Sequence, residues 1–379
     1  MITVQGKYNE AIVYTNKLEE SAKSILQTFC NQEFLKDSKI RVMPDVHAGK
    51  GCTIGTTMTI HDAVIPCAVG VDIGCGILTV KLKDKRINLP ELDSYIRKNI
   101  PYGFAVRERP HRGHRRIDVN ELYCLKKISQ NRMLESLGTT GGGNHFEEID
   151  QDEDGNLYLL IHTGSRNPGL QVANYYQDLA YQAFGGRKQS AVSHDLAYLT
   201  GDTFEMYVHD MHFMQQFAAL NRRIIADDII DALGLHEEFR FDTIHNYIDT
   251  DNMILRKGAC AAYAGETLII PMNMRDGSLI CVGKGNPDWN YSAPHGAGRI
   301  MSRNEAFNSI SLTEFKKSME GIFTTSVDKD TIDEAPMAYK PMEEIVNHIE
   351  PTVEIIKRIK PIYNFKAGDE SPRRRKEKK

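Results

Sequence analysis

The chain has 379 residues, 41% of them hydrophobic and 26% charged, a composition that supports a sizeable core and excludes a disordered polymer. A formal net charge of −4 excludes a global positive field, so contact with nucleic acid must use a local basic surface. Seven cysteines with no C-x-x-C pair suit reduced thiols. With no signal-peptide pattern and no run of about 18 apolar residues, a cytoplasmic protein is expected.

Leu18, Ala22, Ile25, Leu26 and Phe29 recur at helical spacing, which predicts an amphipathic helix ending near Asn31. Residues 40–43 read as a short strand and residues 45–49, beyond Pro44, as a loop that places Asp45 and His47 at a strand end. Residues 53–69 are β-branched and small, and residues 76–82 resume a strand. Gly70-Val71-Asp72-Ile73-Gly74-Cys75-Gly76 therefore lies between strands. Its glycines let two side chains turn toward one point, and an Asp oxygen beside a Cys sulfur is a metal-ligand pair. The bland alternative is a glycine turn with a buried thiol.

Residues 107–116 hold five arginines and two histidines. They form an expected exposed basic loop, either a grip for an RNA backbone or simply solvated. Helical spacing returns at residues 120–137, ahead of Gly141-Gly142-Gly143-Asn144-His145. Residues 157–161 read as a buried strand, with His162-Thr163-Gly164-Ser165-Arg166 leaving its carboxyl end and a helix beginning near Pro168, where an anion could dock. A long helix is expected over residues 202–233. Its His209 and His212 share a face but lack the H-E-x-x-H order, and are read as non-ligands.

Residues 241–248 form an expected strand carrying His245-Asn246, and residues 256–259 end the next extended segment. Strands at 267–271 and 278–282 lead to Pro294-His295-Gly296-Ala297-Gly298-Arg299. Helical runs near 311–322 and 342–360 close the chain before a basic end. No strand-bound G-x-G-x-x-G or P-loop signature is present, which argues against a dinucleotide fold or a P-loop. Motifs at strand ends and loops imply an α+β protein, with mixed sheets flanked by helices around a central cleft. One domain is expected over residues 1–368, followed by a basic, disordered tail over 369–379.

Asp72, Cys75, His145, His162 and His245 together offer one oxygen, one sulfur and three nitrogens. A thiolate can bridge two ions, so five side chains could hold two metals with open positions, which implies catalysis. Ligand softness points first to zinc, then to iron or manganese. His295 sits among small residues with Arg299 four positions on, which suits a nucleophile facing phosphate. A neutral imidazole can attack phosphorus when its other nitrogen is held, and Asp45 is the candidate holder.

These blocks, with Met43-Pro44-Asp45-Val46-His47, Arg256-Lys257-Gly258-Ala259, Asp333-Glu334-Ala335-Pro336 and Ala338-Tyr339-Lys340, occur in an order that resembles the RtcB RNA ligases, which join RNA ends using GTP and manganese. The resemblance implies an RtcB-like fold and a 3′-phosphate/5′-hydroxyl ligase. A 2′,3′-cyclic phosphate is opened to a 3′-phosphate, guanylate passes from GTP through a histidine to that phosphate, and the 5′-hydroxyl of a second RNA displaces GMP. By position His295 would carry the guanylate and Asp45 orient it. Two manganese ions would be held by Asp72, Cys75 and His145, and by Cys75, His162 and His245.

Asn144, Phe146, Glu148, Ser278, Gly298, Tyr339 and Lys366 would line the nucleotide pocket, with Glu148 reading the guanine N1–H and N2–H₂ edge and Lys366 its O6. Asn273 stands where many relatives carry a serine. Arg166 and Arg299 would clamp phosphate. RNA with broken ends, tRNA halves or damaged RNA, is the implied partner, with an archease-type activator as a further one. The competing reading is a two-metal phosphoesterase without nucleotidyl transfer, which would keep the five ligands but not need His295, Tyr339 or Lys366. A silent RNA-end-binding module would need no intact metal set.

Overall fold

In the computed structural model, residues 1–186 and 192–368 are described; the expected basic tail, residues 369–379, lies outside the described residues. Two large sheets carry the architecture, as expected for an α+β protein. In the first, seven strands lie side by side in the order Glu237–Ile244, Gly76–Leu82, Leu157–Thr163, Phe146–Gln151, Val353–Lys366, Gly277–Gly283 and Thr267–Asn273, each pair antiparallel. The second runs Ile2–Gln5, Glu10–Val13, Ile40–His47, Ile54–Thr59, Ile254–Lys257 and Asn246–Asp249.

Strand Leu157–Thr163 is buried at every residue, which its unbroken apolar run anticipates for a strand covered on both faces. On one face Leu78, Val80, Leu159 and Ile161 pack with Leu92 and Ile96 of helix Leu89–Asn99 and with Ile225 and Ile229 of the long helix Gly201–Leu233. On the other, Ile77, Phe146, Leu160, Ile280 and Ile359 form a smaller apolar patch beneath the cleft. No helix of the described residues is long and apolar enough to cross a membrane.

Four expectations need correction. Of the loop foreseen at 45–49, residues 45–47 are instead the end of strand Ile40–His47, where a register shift between Val42 and His47 accommodates Pro44 and its missing N–H. The helix foreseen over 120–137 is real only at Gln130–Glu135, because the buried Asp210 carboxylate accepts from the Tyr123 and Cys124 N–H groups at 2.9 Å each and holds that stretch in 3₁₀ turns. The run at 342–360 is a helix only over Met342–Ile349. Beyond Pro351 comes the 14-residue strand Val353–Lys366, whose alternating burial is a period of two and not 3.6. The strand foreseen at 241–248 breaks at His245, where the chain leaves the seven-stranded sheet and enters the six-stranded one.

Gly76 pairs with Ile244 on one side and Thr163 on the other, and a Cβ there would lie 2.4 Å from the Thr243 carbonyl oxygen. Gly76→Ala is expected to prise the two strands apart and cost about 1–3 kcal/mol, read as a lower urea midpoint at unchanged m-value; an unchanged midpoint contradicts this packing.

Candidate active site

Four neighbouring strands of the seven-stranded sheet each present a residue at the same end. His245 follows Ile244, Cys75 precedes Gly76, His162 lies within Leu157–Thr163, and His145 precedes Phe146. The register sets Gly76 beside Ile244 and Thr163, and Phe146 beside His162. Adjacent strands are spaced by about 4.8 Å, so the four side chains converge without a designed loop for each. Asp72 joins them from the glycine loop. That loop is pinned where Gly74 N–H donates to Asn246 O at 2.7 Å and Arg222 Nη1 donates to Gly74 O at 2.8 Å.

The ligand atoms form two groups that share one sulfur: Asp72, Cys75 and His145, and Cys75, His162 and His245, with the atoms of each group within 4.8 Å of one another. Cys75 Sγ lies 3.5 Å from His145 Nε2 and 3.4 Å from His162 Nε2, and His162 Nε2 lies 3.4 Å from His245 Nε2. His145 Nδ1–H donates to Thr140 O at 2.9 Å and His162 Nδ1–H to Asn144 O at 3.1 Å, which turns both Nε2 lone pairs inward. Asp72 Oδ2 then faces His145 Nε2, acceptor to acceptor, at 2.9 Å, while Asp72 Oδ1 is buried without a partner. A Cβ on Gly164 would meet that oxygen at 2.2 Å, so the space around it is kept by glycine. Converging acceptors of this kind fit a divalent transition ion.

The electrostatics of the metal-free site agree. Burial, then the Asp72 charge, pushes the Cys75 thiol well above its ordinary range. Burial and the neighbouring imidazoles push His162 and His245 well below theirs. Burial raises Asp72, but His145 beside it and the nearby Arg166 outweigh that and bring the carboxyl down to about 2.

His295 stands on the far wall, its ring centroid 4.9 Å from that of His245. Its Nδ1–H donates to Asp45 Oδ2 at 2.6 Å, and its backbone N–H donates to the same oxygen at 3.2 Å. Asp45 is fully buried. Its backbone is fixed by Lys340 Nζ, which donates to Pro44 O at 2.9 Å and Val46 O at 3.2 Å. A Cβ at Gly298, where φ is +75°, would lie 2.3 Å from Asp45 O, so only glycine allows the two segments to meet. His47, half-buried beside them, has its pKa pushed down to about 4 by loss of solvent and is neutral at pH 7.

Between these groups lies a cleft of about 320 Å³ lined by Asn144, Phe146, Glu148, Asn273, Gly298, Tyr339 and Lys366, as well as by His295, Asp72, Cys75, His162 and His245. Lys366 Nζ donates to Glu334 Oε2 at 2.6 Å and to Asn144 O at 3.3 Å, and Tyr339 Oη–H donates to the same Glu334 oxygen at 2.6 Å. Two residues expected at the cleft stand elsewhere. Ser278 shares a sheet face with Ile280 but is buried and does not line the cleft. Arg166 opens onto a second cleft behind Asp72, with Nη1 3.3 Å from His145 Nδ1 and Nη2 donating to Gly103 O at 3.2 Å. Arg299 lines the main cleft, but its guanidinium already donates to Met301 O, Glu334 and Asp333 O.

Three residues carry weight that the sequence reading did not assign. Glu334 anchors both Lys366 and Tyr339, and Asn364 donates to Glu148 while its own Oδ1 has no partner. Arg222, fully buried, makes a fork to Asp242 at 2.8 and 2.7 Å and holds the metal loop. The signal for it was a polar Asn221-Arg222 pair among the apolar residues in the second half of a long helix. His209 bonds Asp210, and His212 bonds Gln216.

Titration with Mn²⁺ is expected to show two ions per chain, to lose tight binding of both in Cys75→Ala, and to lose only one in His145→Ala. Because the Cys75 thiol is raised and the two low-pKa imidazoles are already neutral, binding should expel one proton and tighten as pH rises from 6 to 8. Calorimetry in buffers of different ionisation enthalpy measures that proton; no release contradicts the shared thiolate.

Residues 31–367 match the family described as RtcB, tRNA-splicing ligase RtcB. The RNA-splicing ligase RtcB of Escherichia coli (strain K12) is 32% identical over 356 aligned residues, covering 84% of this chain and 87% of that protein. The tRNA-splicing ligases RtcB of Aeropyrum pernix and Nanoarchaeum equitans are 29% and 28% identical, covering 85% and 86% of this chain and 86% and 87% of their own. A match over nearly the whole chain, to proteins matched over nearly their whole length, places this chain in the RtcB family.

Proposed function

We propose that this RtcB-family chain is a GTP-dependent RNA ligase that joins a 2′,3′-cyclic phosphate or 3′-phosphate end to a 5′-hydroxyl end, with residues 1–368 as its catalytic domain. The observation that carries the reading is the His295–Asp45 contact beside the metal ligands, because a held, accessible imidazole there suits a nucleophile toward phosphorus, which a two-metal phosphoesterase would not need. The relatives' names supply RNA as the substrate class.

His295, neutral with its proton on Nδ1 facing Asp45, attacks the α-phosphorus of GTP through Nε2. A P–N bond forms, the bond to pyrophosphate breaks, and Asp45 stabilises the cationic ring. An oxygen of the RNA 3′-phosphate then displaces the imidazole, leaving guanylate on the RNA end and His295 neutral again. The 5′-hydroxyl of the second strand attacks the 3′-phosphorus, giving up its proton to solvent, and the P–O bond to GMP breaks so that GMP departs. Glu148 and Lys366 read the guanine edge, Phe146 packs against the base, and Asn144 contacts phosphate. Manganese ions on the two ligand triads would supply charge neutralisation and in-line alignment of the reacting phosphates. Broken tRNA or damaged RNA in the cytoplasm is the natural substrate on this reading, with an archease-type protein as the candidate activator.

With α-³²P-GTP and Mn²⁺, the unaltered protein is expected to take up label that is labile to acid and stable to base. His295→Ala should take none, and Asp45→Asn should label more slowly by about a hundredfold or more. Cyclic-phosphate RNA hydrolysed without protein labelling, even with an archease-type activator present, would replace the ligase with the phosphoesterase.

A further inference from the structure

One buried acid, Asp150, is not used by this chemistry. On strand Phe146–Gln151, Phe146, Glu148 and Asp150 face the same side. Glu148 lines the cleft. Asp150 lies behind it, fully buried, and neither carboxyl oxygen meets a donor among the described residues.

The neighbours explain why. Tyr158, opposite Asp150 on one side, gives its hydroxyl to Asp152 at 3.1 Å, and Lys357 also goes to Asp152, at 2.7 Å. Pro361, opposite on the other side, has no N–H. Lys366 is held by Glu334. What faces Asp150 is the carboxyl of Glu148, whose Oε2 also accepts from Asn364. The Lys366 charge also bears on Glu148, but its hydrogen bond goes to Glu334, so two carboxylates that meet with no cation bonded between them share a proton. Burial, reinforced for Asp150 by the charge of Glu148, raises both groups above the ordinary carboxylate range.

We propose that the shared proton sits on Asp150, which donates to Glu148 and presents it to the cleft as a fixed, ionised acceptor that selects guanine over adenine. The inference rests on the cleft being the GTP site. Guanine offers N1–H and N2–H₂ side by side, and an ionised carboxylate accepts both. Adenine offers an acceptor at N1, so pairing with it requires the proton on Glu148. That would leave Asp150 a bare anion in a buried site with no donor, a strongly unfavourable state. Asp150 is thus a positioning residue: it touches no substrate, but it fixes the proton state of the group that does.

The test compares transfer of label from α-³²P-GTP and α-³²P-ATP to full-length protein with Mn²⁺, as the ratio of kcat/KM values. Asp150→Asn keeps the shape, an N–H donor to Glu148 and the pair's single negative charge, and should hold the ratio within about threefold. Asp150→Ala should lower it by about tenfold or more, mainly through a higher KM for GTP. Equal loss for both nucleotides in Asp150→Ala, leaving the ratio unchanged, is the mark of a structural role and overturns the proposal.

Should Asp150→Ala not fold, infrared difference spectra of the unaltered protein against Asp150→Asn at pH 7 decide. A carboxylic-acid carbonyl band lost in the variant supports the proton on Asp150, and no difference overturns it. Glu147, whose carboxyl burial pushes up to about 8, contributes equally to both spectra. Absence of label from GTP on the unaltered protein would remove the nucleotide reading itself, an outcome distinct from labelling with an unmoved ratio.

Discussion

The Cys75 sulfur is the constraint on which the rest of the site depends. It is buried between His145 and His162, with Asp72 on the same loop, so four acceptor side chains are drawn together where few donors reach them. In water such a cluster would disperse. Here the strand ladder holds it, because Gly76, Thr163, Phe146 and Ile244 are hydrogen-bonded neighbours and their adjoining ligands have nowhere else to point. Arg222 offsets part of the cost by donating to Gly74 O and Thr163 O, both beside ligands, while its fork is neutralised by Asp242. The remainder is a demand for positive charge at the sulfur, which bound metal ions would meet.

The second sheet brings the other half of the chemistry to that point. Because the chain crosses from one sheet to the other at His245, a ligand and the entry to the second sheet are the same residue, and His295 lies directly beside it. Asp45 reaches His295 from the end of a strand whose flanking carbonyls are held by the buried Lys340. His295, Asp45 and the five-residue cluster thus sit on strand ends or their adjoining residues, where hydrogen-bond ladders leave little freedom, and pre-organisation follows from the scaffold.

Much of this was legible in the sequence, and the physical reasons divide cleanly. Helix Glu20–Cys30 and strands Gly76–Leu82 and Leu157–Thr163 were read to within two residues, since each buries a clear stripe or an unbroken apolar run. The five metal ligands were legible because glycine-rich turns carrying Asp, Cys and His have few structural uses. Strand Val353–Lys366 was missed because its first half carries Glu and Lys at spacings that a helix also tolerates, and only partners on both sides choose the strand. Ser278 was placed in the pocket by resemblance, but its strand buries it beneath the cleft. Arg222, Glu334 and Asn364 were assigned no role because they hold other groups, and no chemistry-bearing spacing marks a supporting residue even where, as at Glu334, it stands within a matching block.

The most direct test of the shared sulfur is anomalous diffraction from crystals grown with Mn²⁺. Two anomalous peaks are predicted, both within bonding distance of Cys75 Sγ, one beside His145 and Asp72 and the other beside His162 and His245. A single peak, or two of which only one touches the sulfur, would contradict the account.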